Sequence, residues 1–119
     1  MWTIVTVSVG GTATKVRFWT DSAGIDVKMA LYSSGGVLLA NGTGTSVSAG
    51  WTEVTLGIPV AVTATDYIVA FQSASEITSK WIAPDVSKFG ITAYADFPTA
   101  TLESPNAFGG TLGFGIYVD

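Results

Sequence analysis

The sequence contains no histidine and no cysteine, which removes the imidazole and thiol groups that many catalytic and metal sites use. Without an imidazole base, neither a serine nor a cysteine nucleophile can be activated in the usual way, so both kinds of triad are excluded. Zinc and iron sites built on imidazole or thiolate are excluded for the same reason. Carboxylates and aromatic rings are left as the groups on which a function would depend.

Glycoside hydrolysis needs only a pair of carboxylates on either side of the scissile bond. The acidic residues that could supply such a pair are Glu53, Glu76, Asp85, Asp96 and Glu103. Nothing in their pattern indicates a fixed pair. We interpret them as solvated loop and rim charges, and we predict that the protein is not an enzyme.

Calcium is the one metal that oxygen ligands alone would hold in such a chain. The acidic residues close to turns or strand ends are Asp21, Asp26, Asp66 and Asp119. They lack the dense alternation of carboxylates that forms a calcium loop, and turn-capping carboxylates are the simpler interpretation. We therefore expect no cofactor, with a structural calcium ion left open.

Three segments carry a side chain out of phase with their own apolar residues, and this pattern predicts a binding face. The out-of-phase residues are Trp19, Tyr32 and Gln72; Arg17 and Lys28 share their phase, and Trp81 follows in a polar stretch. If these segments share one sheet, the set forms its outer face, with Trp81 at the edge. We predict that its aromatics stack on sugar rings and that its polar members bind sugar hydroxyls, which makes the chain a carbohydrate-binding module for a polysaccharide or cell-surface glycan.

The same face has a second interpretation, in which it packs against protein. Aromatic residues and arginine are enriched at the centres of subunit interfaces, so the face would join copies of the chain in a homo-oligomer. A loop over residues 95–113 is another candidate cover. Under this alternative the protein is a structural or adhesive component of a virion, a tail fibre or a cell-surface assembly.

The elements that would position these residues are β-strands, because apolar and polar residues alternate along the chain and helical periodicity is absent. Alternation sends Val16, Phe18, Met29, Leu31 and Phe71 inward. We predict a single all-β domain over residues 1–119, an antiparallel β-sandwich of eight to ten short strands. A jelly roll is the first architecture and an immunoglobulin-like sandwich the second. Pro59 indicates a strand end or an edge strand, and Pro98, Pro105 and several glycines indicate a long loop over 95–113.

Composition sets the broad limits on partners. Hydrophobic residues make up 48% of the chain and charged residues 12%, about half the usual share, so the chain is ordered. Its surface must be rich in Thr, Ser and Gly, or partly covered in an assembly. A net charge of −4 with five basic residues argues against nucleic acid, and no apolar run reaches the ~18 residues of a membrane helix. We expect an extracellular, cell-surface or virion location.

Residues 26–72 read "DVKMALYSSGGVLLANG", "SAGWTEVTL" and "PVAVTATDYIVAFQ" in turn. This pattern resembles a group of bacterial and phage β-sandwich modules in which an "LALYS…GG.LLA" hairpin precedes "GW..V.L..P" and "YWLA". The resemblance extends to "VRFWT" near the start and "GIYVD" at the close. It implies a jelly-roll-like module of tail, fibre or cell-surface proteins, often found beside carbohydrate-active parts. Thr65 and Ile68 replace the Gly and Trp usual in the group, so an aromatic platform at that strand is not expected.

Overall fold

The computed structural model describes residues 2–47, 50–75, 81–89, 94, 97–101, 106–112 and 114–118, with side chains for 4–47, 50–75, 94 and 97–101. The strands in these ranges are β1 (Trp2–Thr6), β2 (Gly11–Thr20), β3 (Asp26–Ser33), β4 (Leu38–Thr45), β5 (Gly50–Val62), β6 (Asp66–Ser73), β7 (Trp81–Phe89), β8 (Asn106–Leu112) and β9 (Phe114–Val118). This part of the chain contains no α-helix, and hence none long and apolar enough to cross a membrane.

The strands form two antiparallel sheets. One is six-stranded, in the order β4-β3-β6-β1-β7-β8, and the other is three-stranded, in the order β5-β2-β9. The prediction of an all-β protein with antiparallel sheets is therefore confirmed. β5, which contains Pro59, is an edge strand as predicted, in keeping with the missing N–H of proline.

One core cluster draws its buried side chains from both sheets, and the alternation of the sequence explains which residues enter it. Val16 and Phe18 of β2 meet Met29 and Leu31 of β3 there, as predicted. The Phe18 and Phe71 rings stack across the two sheets with their centroids 4.5 Å apart. Burial of each such side chain contributes about 1.5–3 kcal/mol, so this shared core holds the two sheets together.

A second, smaller cluster lies on the other face of the six-stranded sheet. Its buried members are Ala30, Tyr32, Ile68 and Ala70, with Leu38 and Phe97 packed against them. Phe97 belongs to residues 97–101, which we call the strap. The Leu38 N–H donates to the Ala100 carbonyl at 2.9 Å, and Val37 forms an isolated bridge with Thr101. The strap thus covers the apolar part of this face.

The expectation of one long loop over residues 95–113 is wrong for its second half, where β8 pairs with β7. That expectation rested on Pro98, Pro105 and several glycines. In the ladder, Gly109 and Gly110 both lie opposite Val86, at a register shift. Paired glycines opposite one residue mark a β-bulge, which interrupts a ladder without ending the strand.

The edge strands β4 and β5 come unusually close to each other although they belong to different sheets. A Cβ added at Gly42 of β4 would lie 2.1 Å from the backbone oxygen of Thr55 in β5, and one at Gly44 would lie 3.0 Å from Val54. Glycine is required at Gly42 because no side chain fits between the two backbones. We call this contact the β4–β5 seam.

Candidate functional site

The structure divides the predicted binding residues between two sheets, so the condition that they share one sheet is not met. Trp19 and Arg17 lie on β2 in the three-stranded sheet, whereas Lys28, Tyr32 and Gln72 lie on β3 and β6 in the six-stranded sheet. Each group occupies the face of its own sheet that is turned away from the shared core. Alternation correctly predicts the outward phase of these residues, but it carries no information about which strands become neighbours.

Tyr32 is not available to stack on a ligand, because it is completely buried. Its hydroxyl donates a hydrogen bond to the Thr99 carbonyl of the strap at 2.7 Å. The interpretation that a loop covers an outward aromatic applies to this residue. Tyr32 therefore fixes the strap to the sheet.

The outer face of the three-stranded sheet carries an aromatic pair. Trp19 of β2 lies opposite Trp51 of β5 in the register, and their rings meet edge to face with centroids 5.7 Å apart. The Arg17 guanidinium lies over the Trp51 ring, 4.0 Å from its centroid, a favourable cation–π geometry. Both tryptophans are half-buried, so part of each indole ring remains exposed on this face.

Lys28 and Gln72 are a second pair of predicted residues that the structure brings together. They lie opposite each other on β3 and β6, at the polar end of the outer face of the six-stranded sheet, beyond the area that the strap covers. Trp81 lies on β7 of the same sheet, but its side chain is outside the described residues. In place of the predicted single cluster there are thus two separate pairs, Arg17 with Trp19 on one sheet and Lys28 with Gln72 on the other.

An open cavity adjoins this polar end. It has a volume of ≈ 340 Å³ and is lined by Asp26, Thr43, Gly44, Thr45 and Tyr94. The volume lies at the lower end of the range of about 300–1,000 Å³ that is typical of small-molecule sites. The β3–β4 hairpin supplies the polar groups, because Asp26 lies opposite Thr45 and Lys28 opposite Thr43.

Tyr94 reaches the cavity because Lys28 holds it. The Lys28 ammonium donates to the Tyr94 carbonyl at 2.7 Å and lies 4.4 Å from the centroid of its ring. The same carbonyl accepts a longer hydrogen bond, 3.4 Å, from the N–H of Phe97 in the strap. Lys28 is therefore a positioning residue for the one aromatic ring among the described residues of the cavity wall.

The described wall of the cavity combines hydrogen-bonding groups with one aromatic ring. An ionised carboxylate accepts hydrogen bonds, threonine hydroxyls donate and accept them, and an aromatic face receives C–H groups. In the part of the chain that the structure describes, no group of three or more acidic residues could hold a metal ion. Asp21, Asp26 and Asp66 lie apart, at separate turns and strand ends.

Sequence reasoning missed Tyr94 and two of the threonines in this wall. Thr43 and Thr45 had a detectable signal, since they alternate with Gly42 and Gly44 along β4 and therefore share one face. The register of β4 with β3 makes this the face of Asp26. Tyr94 had none, because it reaches the site through a contact with a residue 66 positions away, which no local pattern predicts.

The fold and the cavity together define an all-β protein of antiparallel sheets with a polar and aromatic pocket on the outer face of one sheet. A family described as "Domain of unknown function (DUF4082)" matches residues 3–106, and the chain belongs to this family. No curated protein and no solved structure matches the chain significantly.

Proposed function

We propose that the chain is a jelly-roll-like β-sandwich that binds a glycan without catalysis. The order of pairing supports the architecture, because β3 pairs with β4, β2 with β5 and β1 with β6. The central hairpin is β3–β4 in the six-stranded sheet. Its two arms continue as the pair β2–β5 in the three-stranded sheet and return as the pair β1–β6 to the six-stranded sheet. That is the way in which the strands of a jelly roll are wound.

The cavity beside Tyr94 is the observation on which the glycan proposal depends. A pyranose offers C–H groups with partial positive charge to an aromatic ring and hydroxyls to polar groups around it. Tyr94 supplies the ring, while Asp26, Thr43 and Thr45 supply the polar groups in the same wall. Lys28 and Gln72 adjoin this wall, so the predicted face contributes to the site at its polar end. A location outside the cell, on its surface or on a virion suits such a ligand.

Isothermal titration with neutral and acidic polysaccharides tests this proposal. None of the described residues that line the cavity is a tryptophan, so heat is a better readout than indole fluorescence. Thr43→Val keeps the branched shape of an exposed strand residue and removes only its hydroxyl. We expect it to weaken binding about fivefold, which corresponds to the loss of one hydrogen bond of about 1 kcal/mol.

Thr12→Val is the matched control, because Thr12 is also an exposed strand threonine but lies on β2 of the other sheet. It should leave the affinity unchanged. Failure of every polysaccharide to bind would overturn the proposal, and equal effects of the two substitutions would show that the ligand binds elsewhere.

A second candidate function is assembly, and the Trp19–Trp51–Arg17 group favours it. Two half-buried tryptophans and an arginine on one sheet face have the composition of an interface centre. If that face joins copies of the chain, light scattering after size exclusion should give a closed oligomer, and Trp19→Ala should dissociate it into folded monomers. A plain monomer at high concentration would contradict this candidate.

A further inference from the structure

The cavity beside Tyr94 has a charge distribution that bears on which class of glycan it accepts. Among the described residues that line it, Asp26 is the only charged one. Its carboxylate is exposed and, when ionised, only accepts hydrogen bonds. The Thr45 hydroxyl donates to one carboxylate oxygen over a long 3.4 Å, which leaves the carboxylate acceptor sites for a ligand. A ligand must therefore donate to it, as sugar hydroxyls can.

Lys28, two positions after Asp26 on β3, is a cation beside the cavity but not in its described wall. The Lys28 ammonium is directed at the Tyr94 carbonyl, 2.7 Å away, and at the Tyr94 ring. It is not among the residues that line the cavity. The ammonium keeps its charge, since both of its partners on Tyr94 are neutral. Because Asp26 lines the cavity and Lys28 does not, a ligand in the cavity meets the carboxylate at closer range than the ammonium.

The remaining described wall residues, Thr43, Gly44, Thr45 and Tyr94, are uncharged. A carboxylate or sulfate on a sugar would thus meet a like charge at Asp26 and hydroxyls that bind it no better than water does. The whole chain, with a net charge of −4, adds a field of the same sign. We propose that the cavity selects uncharged glycans and rejects acidic ones, an inference that rests on the proposed function.

Matched pairs of polysaccharides that differ only in oxidation at C6 give the direct test. We would titrate the full chain with a soluble neutral mannan, galactan and glucan, and with the same three polymers after oxidation of their C6 hydroxymethyl groups to carboxylates. The expected result is that the neutral member of the bound pair binds at least about tenfold more tightly at low salt, as a like-charge contact near a surface implies. Added salt should strengthen the acidic partner and leave the neutral one unchanged.

Asp26→Asn assigns the selectivity to the cavity, since it removes the charge and keeps the size and an acceptor oxygen. We expect the neutral-to-acidic affinity ratio to fall about tenfold. Glu53→Gln removes an equal charge from an exposed residue on the three-stranded sheet, and it should leave the ratio unchanged. Thermal melts of both variants confirm that each remains folded.

The outcomes separate the two proposals. Tighter or equal binding of the acidic partners, still weakened by Thr43→Val, would overturn the charge selectivity while the glycan site stands. An equal change of the ratio in Asp26→Asn and Glu53→Gln would assign the selectivity to net charge and overturn the role of the cavity. If no member of any pair binds, both proposals fall.

Discussion

The hydroxyls of two buried tyrosines make one hydrogen bond each, but only one of these bonds adjoins the candidate site. The Tyr32 hydroxyl donates to the Thr99 carbonyl of the strap at 2.7 Å, and the Tyr67 hydroxyl accepts from the Thr63 N–H at 2.9 Å. Both rings are buried, one on the outer face of the six-stranded sheet and one in the shared core. Only the first bond connects the sheet to the strap that leads back to Tyr94.

Tyr32→Phe and Tyr67→Phe therefore form a matched pair. Each removes one oxygen atom and should lower the free energy of unfolding by about 0.5–1.5 kcal/mol, as measured by urea denaturation. Tyr32→Phe should also weaken glycan binding severalfold, because the strap loses an anchor next to the cavity. Tyr67→Phe should leave binding unchanged. Equal affinities for the two variants would show that the strap does not position the site.

At the scale of strands, the β4–β5 seam depends on the absence of a side chain. A Cβ at Gly42 would meet the Thr55 backbone oxygen at 2.1 Å, whereas a Cβ at Gly35, in the β3–β4 turn, would find only the Ser33 side chain, 3.8 Å away. Backbone atoms cannot rotate aside as a flexible side chain does. The seam must open to admit a methyl group at Gly42.

Gly42→Ala should consequently lower the free energy of unfolding by about 1–3 kcal/mol or more, as overpacking does. Gly35→Ala, its control, should change stability by no more than about 0.5 kcal/mol. Urea denaturation of the two variants measures the difference directly. A Gly42→Ala variant as stable as the parent would contradict the close contact between β4 and β5.

The alternation of apolar and polar residues predicted which face of each strand is buried better than it predicted which strands pair with each other. It correctly sends Val16, Phe18 and Phe71 into one buried cluster, because side chains on a strand point to opposite faces in turn. It does not determine sheet membership, which depends on pairing between distant segments. Tyr32 therefore has the predicted phase but lies on a different sheet from Trp19. The same limit explains why Tyr94 was missed.

On the scale of the whole molecule, the two sheets are joined by the core between them, and the Phe18–Phe71 stack is a direct contact across it. The rings are nearly parallel, with an interplanar angle of 10° and a centroid distance of 4.5 Å. Stacked aromatic pairs contribute about 0.5–1.5 kcal/mol beyond the area that they bury. The two residues should therefore be coupled in stability although they lie in different sheets.

A double-mutant cycle with Phe18→Leu and Phe71→Leu measures this coupling. The two losses of unfolding free energy should not add, and the interaction term should be about 0.5–1.5 kcal/mol. Phe18→Leu combined with Val69→Ala, another core change, is a comparison without the ring pair. Strictly additive losses in the phenylalanine cycle would mean that the stack contributes nothing beyond burial.

The β4–β5 seam has a consequence for the behaviour of the protein at high concentration. An edge strand offers free backbone groups on which a strand from another molecule can pair, and this is a common start of aggregation. At the seam the backbones of two edge strands are in contact at Gly42 and Thr55, so a foreign strand finds little room on that side. Gly42 thus limits edge-to-edge pairing between molecules, because it allows β4 and β5 to cover each other. A substitution that separates these two strands should favour fibril formation before the core itself unfolds.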